Sequence, residues 1–208
     1  MQKIFNETFQ ARLYEAVQAI EQESDAEIVT LVYSHSDTYR SIALIAAALA
    51  TYLSYSILMF SPALISDFAL YIVPILVFVG IFFLVDKIKP LKQRLIPKKV
   101  KHRATEIYAR ALFQKAGIHH TERHTGLLIF ISLLEKKVQL IPDRGIKNAL
   151  SDEDWLQIQS YFEAIFESNE IENGIIKALG QSKELFALYL PALPDDINEL
   201  PDYVEITL

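Results

Sequence analysis

The chain has 208 residues, a formal net charge of −6 and no cysteine. That length suits one or two ordinary domains, and the missing thiols exclude disulfides and thiolate metal centres, which fits a reducing compartment. The negative total hides a segregation: Lys87, Lys89, Lys92, Arg94, Lys98, Lys99, Lys101 and Arg103 follow one another with no acid between them, while the remainder is acidic.

The opening MQKIFNETFQARLYEAVQAIEQES lacks the apolar centre and small-residue cleavage site of a secretory signal, so no removable leader is expected there. From Asn6 to Glu23, Phe9, Leu13, Ala16, Val17 and Ile20 recur at helical spacing, with Asn6 as a capping residue. Glu27 to Tyr33 (EIVTLVY) is short and β-branched behind Ser24 and Asp25, the pattern of a buried strand. A polar connector, SHSDTYR, follows.

Ile42 to Phe60 and Phe68 to Val85 contain no charged residue. As helices, such runs reach roughly 27 to 29 Å, the hydrocarbon thickness of a bilayer. The linker SPALISD is short, so the two are expected to form a transmembrane hairpin whose flanking chains share one side of the membrane. Ala46, Ala50 and Ser54 place small side chains on one face of the first helix, with Gly80 of the second as the expected close partner. Pro74 interrupts the amide series of the second helix. The spans hold hydroxyls but no ionisable group, so they read as an anchor and not as an ion route.

Arg40 and the eight basic residues from Lys87 to Arg103 flank the open end of the hairpin, whereas its turn carries Asp67 and no base. The positive-inside rule then puts both termini in the cytoplasm and the turn outside, in the inner (plasma) membrane. Pro90 and Pro97 forbid one continuous helix through the basic segment, which is expected on the lipid surface, where each base contributes about 1 kcal/mol against an anionic leaflet. Basic residues also bind nucleic acid, but these abut a span and lack interleaved aromatics, so the expected partner is the lipid bilayer.

Lys101 to Ala116 reads as an amphipathic helix stopped by Gly117. After the polar loop IHHTERHT, Gly126 to Leu133 reads as a buried strand and Val138 to Ile141 as its returning partner, closed by Pro142 and Gly145. Ser151 and Asp154 open a helix with Trp155, Ile158, Phe162, Ile165 and Phe166 inward. A last helix runs from about Ile171 to Leu190, and the tail PDDINELPDYVEITL is expected to be extended or disordered. The resulting fold class is α/β, a small mixed sheet in a sandwich interrupted by the hairpin. Residues 1–40 and 104–190 form its two parts, 41–86 the hairpin, 87–103 the basic segment and 191–208 the acidic tail.

The run RATEIYARALFQKAGIHHTERHTGLLIFISLLEKKVQLIPDRGI resembles the TPM domain family: a helix of the form A-x-x-L-F-x-x-x-G, a polar loop ending in T-G, a strand of the L-L-I-F-I-S-L kind and a strand closing in D-R-G-I. The resemblance implies a compact α/β sandwich with a parallel βαβ pair. It implies two functions. One is an interaction or regulatory module for a membrane protein complex, and the alternative is a metal-assisted acid phosphatase using calcium or magnesium. For the second, Asp143, Arg144 and Arg123 are the catalytic candidates and Asp25 and Asp143 the metal candidates, all expected with His124 at the sheet edge opposite the Glu135-Lys136-Lys137 turn. That turn is expected to face lipid.

Other clusters carry less. His119, His120 and His124 match no closed zinc spacing. Ser34, His35 and Asp37 are too close in sequence for triad geometry. There is no P-loop, dinucleotide-binding glycine series or nucleophile elbow.

Overall fold

A computed structural model describes residues 7–62, 65–167, 170–193, 200 and 204–207. The chain divides into two compact units, one built from residues 1–36 and 102–208 and the other from residues 37–101.

The first unit is an α/β sandwich on a four-stranded mixed sheet of order β3-β2-β1-β4. Strand β1 (Glu27–Tyr33) pairs in parallel with β2 (Gly126–Ser132), Glu27 opposite Gly126 and Tyr33 opposite Ser132. Strand β3 (Lys137–Pro142) returns antiparallel to β2, as the hairpin reading expects. The alternation of β1 and β2 serves two cores. Ile28, Val32, Leu127, Ile129 and Ile131 face one side, where they meet helix α1 (Glu7–Glu21) through Phe9, Leu13, Val17 and Ile20. Helices α7 (Asp152–Glu163) and α8 (Ile171–Tyr189) complete that layer through Ile158, Phe162, Ile175 and Phe186. Val29, Leu31, Leu128 and Phe130 face the other side, where α5 (Lys98–Lys115) supplies Ala109 and Phe113. Both faces of β2 are fully buried, which is why its sequence is a continuous apolar run without alternation.

Local signals end these elements where the sequence says. Gly117 adopts φ 72°, a left-handed stop after α5. The Ser151 side chain accepts the Asp154 amide at 3.1 Å and caps α7. Asn6, the expected cap of α1, lies outside the described residues.

Two elements depart from expectation. Asp143 and Gly145 do not merely close a turn: Asp143 caps the short helix α6 (Arg144–Ala149). Residues 204–207, assigned from sequence to an extended or disordered tail, form β4 (Val204–Thr207), parallel to β1 with Val204 opposite Thr30. Four residues among acids and prolines carry little periodicity, and the open edge of β1 is what makes them a strand. Just before β4 reaches that edge, the Ile28 amide is taken by the Glu21 carboxylate at 2.9 Å.

The second unit contains α2 (Arg40–Met59), α3 (Asp67–Lys87) and α4 (Lys89–Leu95), with α2 and α3 packed on each other. Both long helices are long and apolar enough to cross a membrane. Ala43 and Ala47 are buried in α2, with Ala46, Ala50 and Ser54 half-buried on the same face. Gly80 is not their partner. It is exposed, and a Cβ there would meet nothing within 4 Å; Pro74 and Val85 are the buried residues of α3. Because α3 is apolar all round, its sequence gives no clue to which side turns inward.

Candidate functional site

The parallel register of β1 and β2 sorts the polar side chains of the α/β unit between two ends of the sheet. At the amino end of these strands, Asp25 precedes β1 and the loop Thr121–Thr125 precedes β2. Asp25 pairs with Arg123 at 3.1 Å. His124, in the left-handed region at φ 59°, places Nδ1 3.1 Å from Asp143 Oδ2, and its Nε2 meets the Arg144 guanidinium. Asp143 Oδ1 accepts the Arg144 amide at 2.7 Å as the cap of α6. Gly145 fits beneath this loop because it lacks a side chain: a Cβ would lie 2.6 Å from the Arg123 and His124 carbonyl oxygens. The five residues grouped from sequence, Asp25, Arg123, His124, Asp143 and Arg144, thus share one end of the sheet.

Their groups are bonded to one another. Arg123 is engaged by Asp25, and both oxygens of Asp143 are occupied, one as a helix cap and one by His124. Among the described residues no group of three His, Asp or Glu side chains could hold a metal ion. Asp25 and Asp143, already engaged by Arg123, the Arg144 amide and His124, do not by themselves form the carboxylate cage of a calcium site.

The remaining histidines and the Ser34 segment separate in the same way. His119 and His120 stack with centroids 4.0 Å apart, and His119 lies against Phe113, away from the His124 contacts. Ser34 Oγ meets His35 Nδ1 at 2.8 Å, whereas Asp37 accepts from Thr38 and the Tyr39 amide, so no serine, histidine and aspartate line up.

At the carboxyl end of β1 and β2 the turn Glu135-Lys136-Lys137 divides. Lys136 is exposed in a left-handed conformation, but Glu135 is buried at 3% exposure. Its Oε1 accepts the Ser36 amide at 3.0 Å and its Oε2 accepts the Ser132 hydroxyl. Ser36 Oγ donates in turn to Ser132 Oγ at 2.9 Å. The ladder of β1 and β2 continues past both strands, with Leu133 and Leu134 amides donating to Tyr33 and Ser34 carbonyls at 3.0 Å each. Within a turn expected to face lipid, the Glu135 carboxylate is instead folded in at the carboxyl end of the sheet.

Of the eight basic candidates, Lys87, Lys89, Arg94, Lys98 and Lys99 in the second unit and Arg103 in the first are exposed. Lys92 is not available to a lipid surface: its Nζ is 2.9 Å from Asp86 and 3.3 Å from the Thr38 carbonyl.

Residues 95–185 match the sequence model of the TPM domain. Over those residues the chain is similar to the TPM domain. No curated protein matches the chain. Among solved structures, it is similar to the NMR structure of the BA42 protein from the psychrophilic bacterium Bizionia argentinensis, at 15% identity and a TM-score of 0.60 over 99% of each chain. At that identity the likeness establishes the fold and nothing of activity.

The TPM match runs from the end of α4 through most of α8, so β1, β4 and the two long helices lie outside it. The features of the matched residues that sequence reasoning missed are the buried Glu135 pair and the role of His124 as the link between Asp143 and Arg144. Only the S-L-L-E spacing hinted at the first, since it lets the carboxylate fold back on Ser132 three residues earlier.

Proposed function

We propose that this chain is an integral membrane protein of the inner membrane. On this reading its TPM domain is held in the cytoplasm by a two-helix hairpin and acts as an interaction or regulatory module for a membrane protein complex. The observation that carries this reading is the outward surface of α2 and α3. Leu49 is 65% exposed, Ile57 65%, Ile75 58% and Leu76 64%, in two helices too apolar to face water over such an area. The Thr51, Ser54 and Ser56 hydroxyls of α2 are satisfied by their own helix: Thr51 donates to the Ala47 carbonyl at 2.8 Å, Ser54 to Thr51 at 2.9 Å and Ser56 to Tyr52 at 2.9 Å. That is a requirement in hydrocarbon, where no water can replace the bond. The six exposed bases from Lys87, at the end of α3, to Arg103 support the cytoplasmic orientation and a lipid-facing basic surface.

The phosphatase alternative finds less support, because Asp25 is bonded to Arg123 and both oxygens of Asp143 are taken by the Arg144 amide and His124. Two measurements test the reading. Alkaline carbonate washing of membranes should leave the chain in the pellet, and release into the supernatant would contradict the anchor. The detergent-solubilised chain should not hydrolyse a generic phosphate ester with or without calcium or magnesium; turnover abolished by Asp143→Ala would reverse the preference for an interaction module.

A further inference from the structure

The sheet has two outer strands, and the molecule treats them differently. The edge of β1 is covered by β4 and, before it, by the Glu21 carboxylate on the Ile28 amide. Among the described residues the outer edge of β3 has no strand beside it.

The hydrogen-bond parity of β3 follows from its register. The Asp143 amide donates to the Gly126 carbonyl at 2.9 Å, so this opposed pair is hydrogen-bonded. Alternation along an antiparallel ladder then makes Ile141, Gln139 and Lys137 the β3 residues bonded to β2. Val138, Leu140 and Pro142 turn their backbone groups outward. Pro142, which has no N–H to give, sits at a position where none is required, and Leu133, of the opposite parity on the β2 side, donates to β1 as this scheme demands.

That outward edge borders a cavity of about 270 Å³ that contains Lys136 to Leu140 in unbroken succession. It is also lined by Phe162 and Glu163 at the end of α7, by Phe166 and Glu167 in the turn that follows, and by His102 of α5. Lys136 and Lys137 make no ion pair with these glutamates, or with any described residue. The groove thus offers backbone donors and acceptors along one wall and unmatched charges of both signs around it.

We propose that the free edge of β3 receives an extended peptide segment as a fifth strand. The segment alternates apolar and polar residues, with acidic side chains meeting Lys136 and Lys137 and a basic side chain meeting Glu163 and Glu167. This rests on the interaction reading and gives it a site. The segment bonds to the amides and carbonyls of Val138 and Leu140 and seats an apolar side chain over Phe162 and Phe166. Pairing of two copies through β3 is disfavoured by charge: an antiparallel two-fold about Gln139 would set Lys136 opposite Pro142 and Lys137 opposite Ile141, leaving the lysines unmatched.

The test uses the full chain in detergent and a blocked synthetic peptide, Asp-Glu-Val-Thr-Val-Thr-Val-Lys-Lys, with residue-resolved amide exchange as the readout. Saturating peptide should slow exchange at Val138 and Leu140 by about tenfold or more while Lys137, Gln139 and Ile141, already bonded to β2, change little. Methylating alternate peptide amides, with side chains unchanged, should weaken binding by about tenfold, and so should Lys136→Glu with Lys137→Glu. Unchanged exchange at Val138 and Leu140 at millimolar peptide would overturn the proposal. So would equal binding of the methylated peptide, or protection that instead grows with protein concentration in the absence of peptide. None of these outcomes bears on carbonate extraction, so the groove can fail while the anchor stands.

Discussion

The carboxylate of Glu135 accepts the backbone amide of Ser36, 99 residues earlier in the chain, at 3.0 Å. Ser36 is the last residue of the α/β unit before the chain leaves it, and the same carboxylate holds the Ser132 hydroxyl at the end of β2. The exit from the α/β unit is therefore fastened by a buried acid, at the carboxyl end of parallel strands where open α/β sheets usually keep ligand sites. Glu135→Ala would remove the acceptor of the half-buried Ser36 amide and of the buried Ser132 hydroxyl, a loss of about 2 kcal/mol. Thermal unfolding of the full chain in detergent should fall by about 5 to 10 °C. Glu135→Gln, which keeps one acceptor oxygen, should lose roughly half as much.

Thr30 lies fully buried in β1, and its hydroxyl has no hydrogen-bond partner among the described residues. Valine has nearly the same shape and a higher preference for strands. Thr30→Val should therefore stabilise the domain by about 1 kcal/mol, measured by the same melt. A loss of stability would mean that the hydroxyl is satisfied after all.

Gly145 and Gly80 make a matched pair of tests. Alanine at position 145 would press its Cβ against two carbonyl oxygens at 2.6 Å, so Gly145→Ala should destabilise by about 2 to 3 kcal/mol and loosen the His124 loop. At Gly80 the added methyl meets nothing within 4 Å. Gly80→Ala should be neutral or stabilise by up to about 1 kcal/mol through helix propensity.

Asp154 titrates below the ordinary carboxylate range because the hydroxyls of Ser151 and then Tyr189 donate to it, and the Tyr189 phenol is pushed up by the same contact. A carboxylate whose folded value is depressed stabilises the fold above its unfolded value and loses that contribution as pH falls through the folded one. The junction of the α7 start with the α8 end should weaken below about pH 4. For the phenol the sign reverses, and its contribution is lost as pH rises above about 10. Asp154→Asn should flatten the acid side of the melting-temperature profile, and an unchanged profile would remove Asp154 from the account.

Strands β1, β2 and β3 and the long helices α1, α5, α7 and α8 were legible because each carries its own signal within a few residues, whether β-branched runs, helical spacing, or Ser151 and Gly117 as end markers, whereas the six-residue α6 was read as a turn. The features that were not legible depend on distant partners. Glu135 beside two lysines reads as solvated charge until Ser36 is brought to it. β4 is a strand only because β1 has an open edge. The inward side of α3 is set by α2, since its own residues are apolar on every side. The candidate site was half legible: the five residues at the amino end were grouped correctly from topology. That Asp25 is paired with Arg123, and Asp143 with the Arg144 amide and His124, emerged only from the distances.

The account turns on the hairpin as a membrane anchor with the TPM domain on the cytoplasmic side, and the absence of cysteine makes this directly measurable. Single cysteines at Ser61, beside the turn of the hairpin, and at Lys147, in α6, would be challenged in intact cells with a membrane-impermeant maleimide. The prediction is labelling of Ser61→Cys without permeabilisation and of Lys147→Cys only after it. Labelling of Lys147→Cys in intact cells, or recovery of either variant in the soluble fraction, would contradict it.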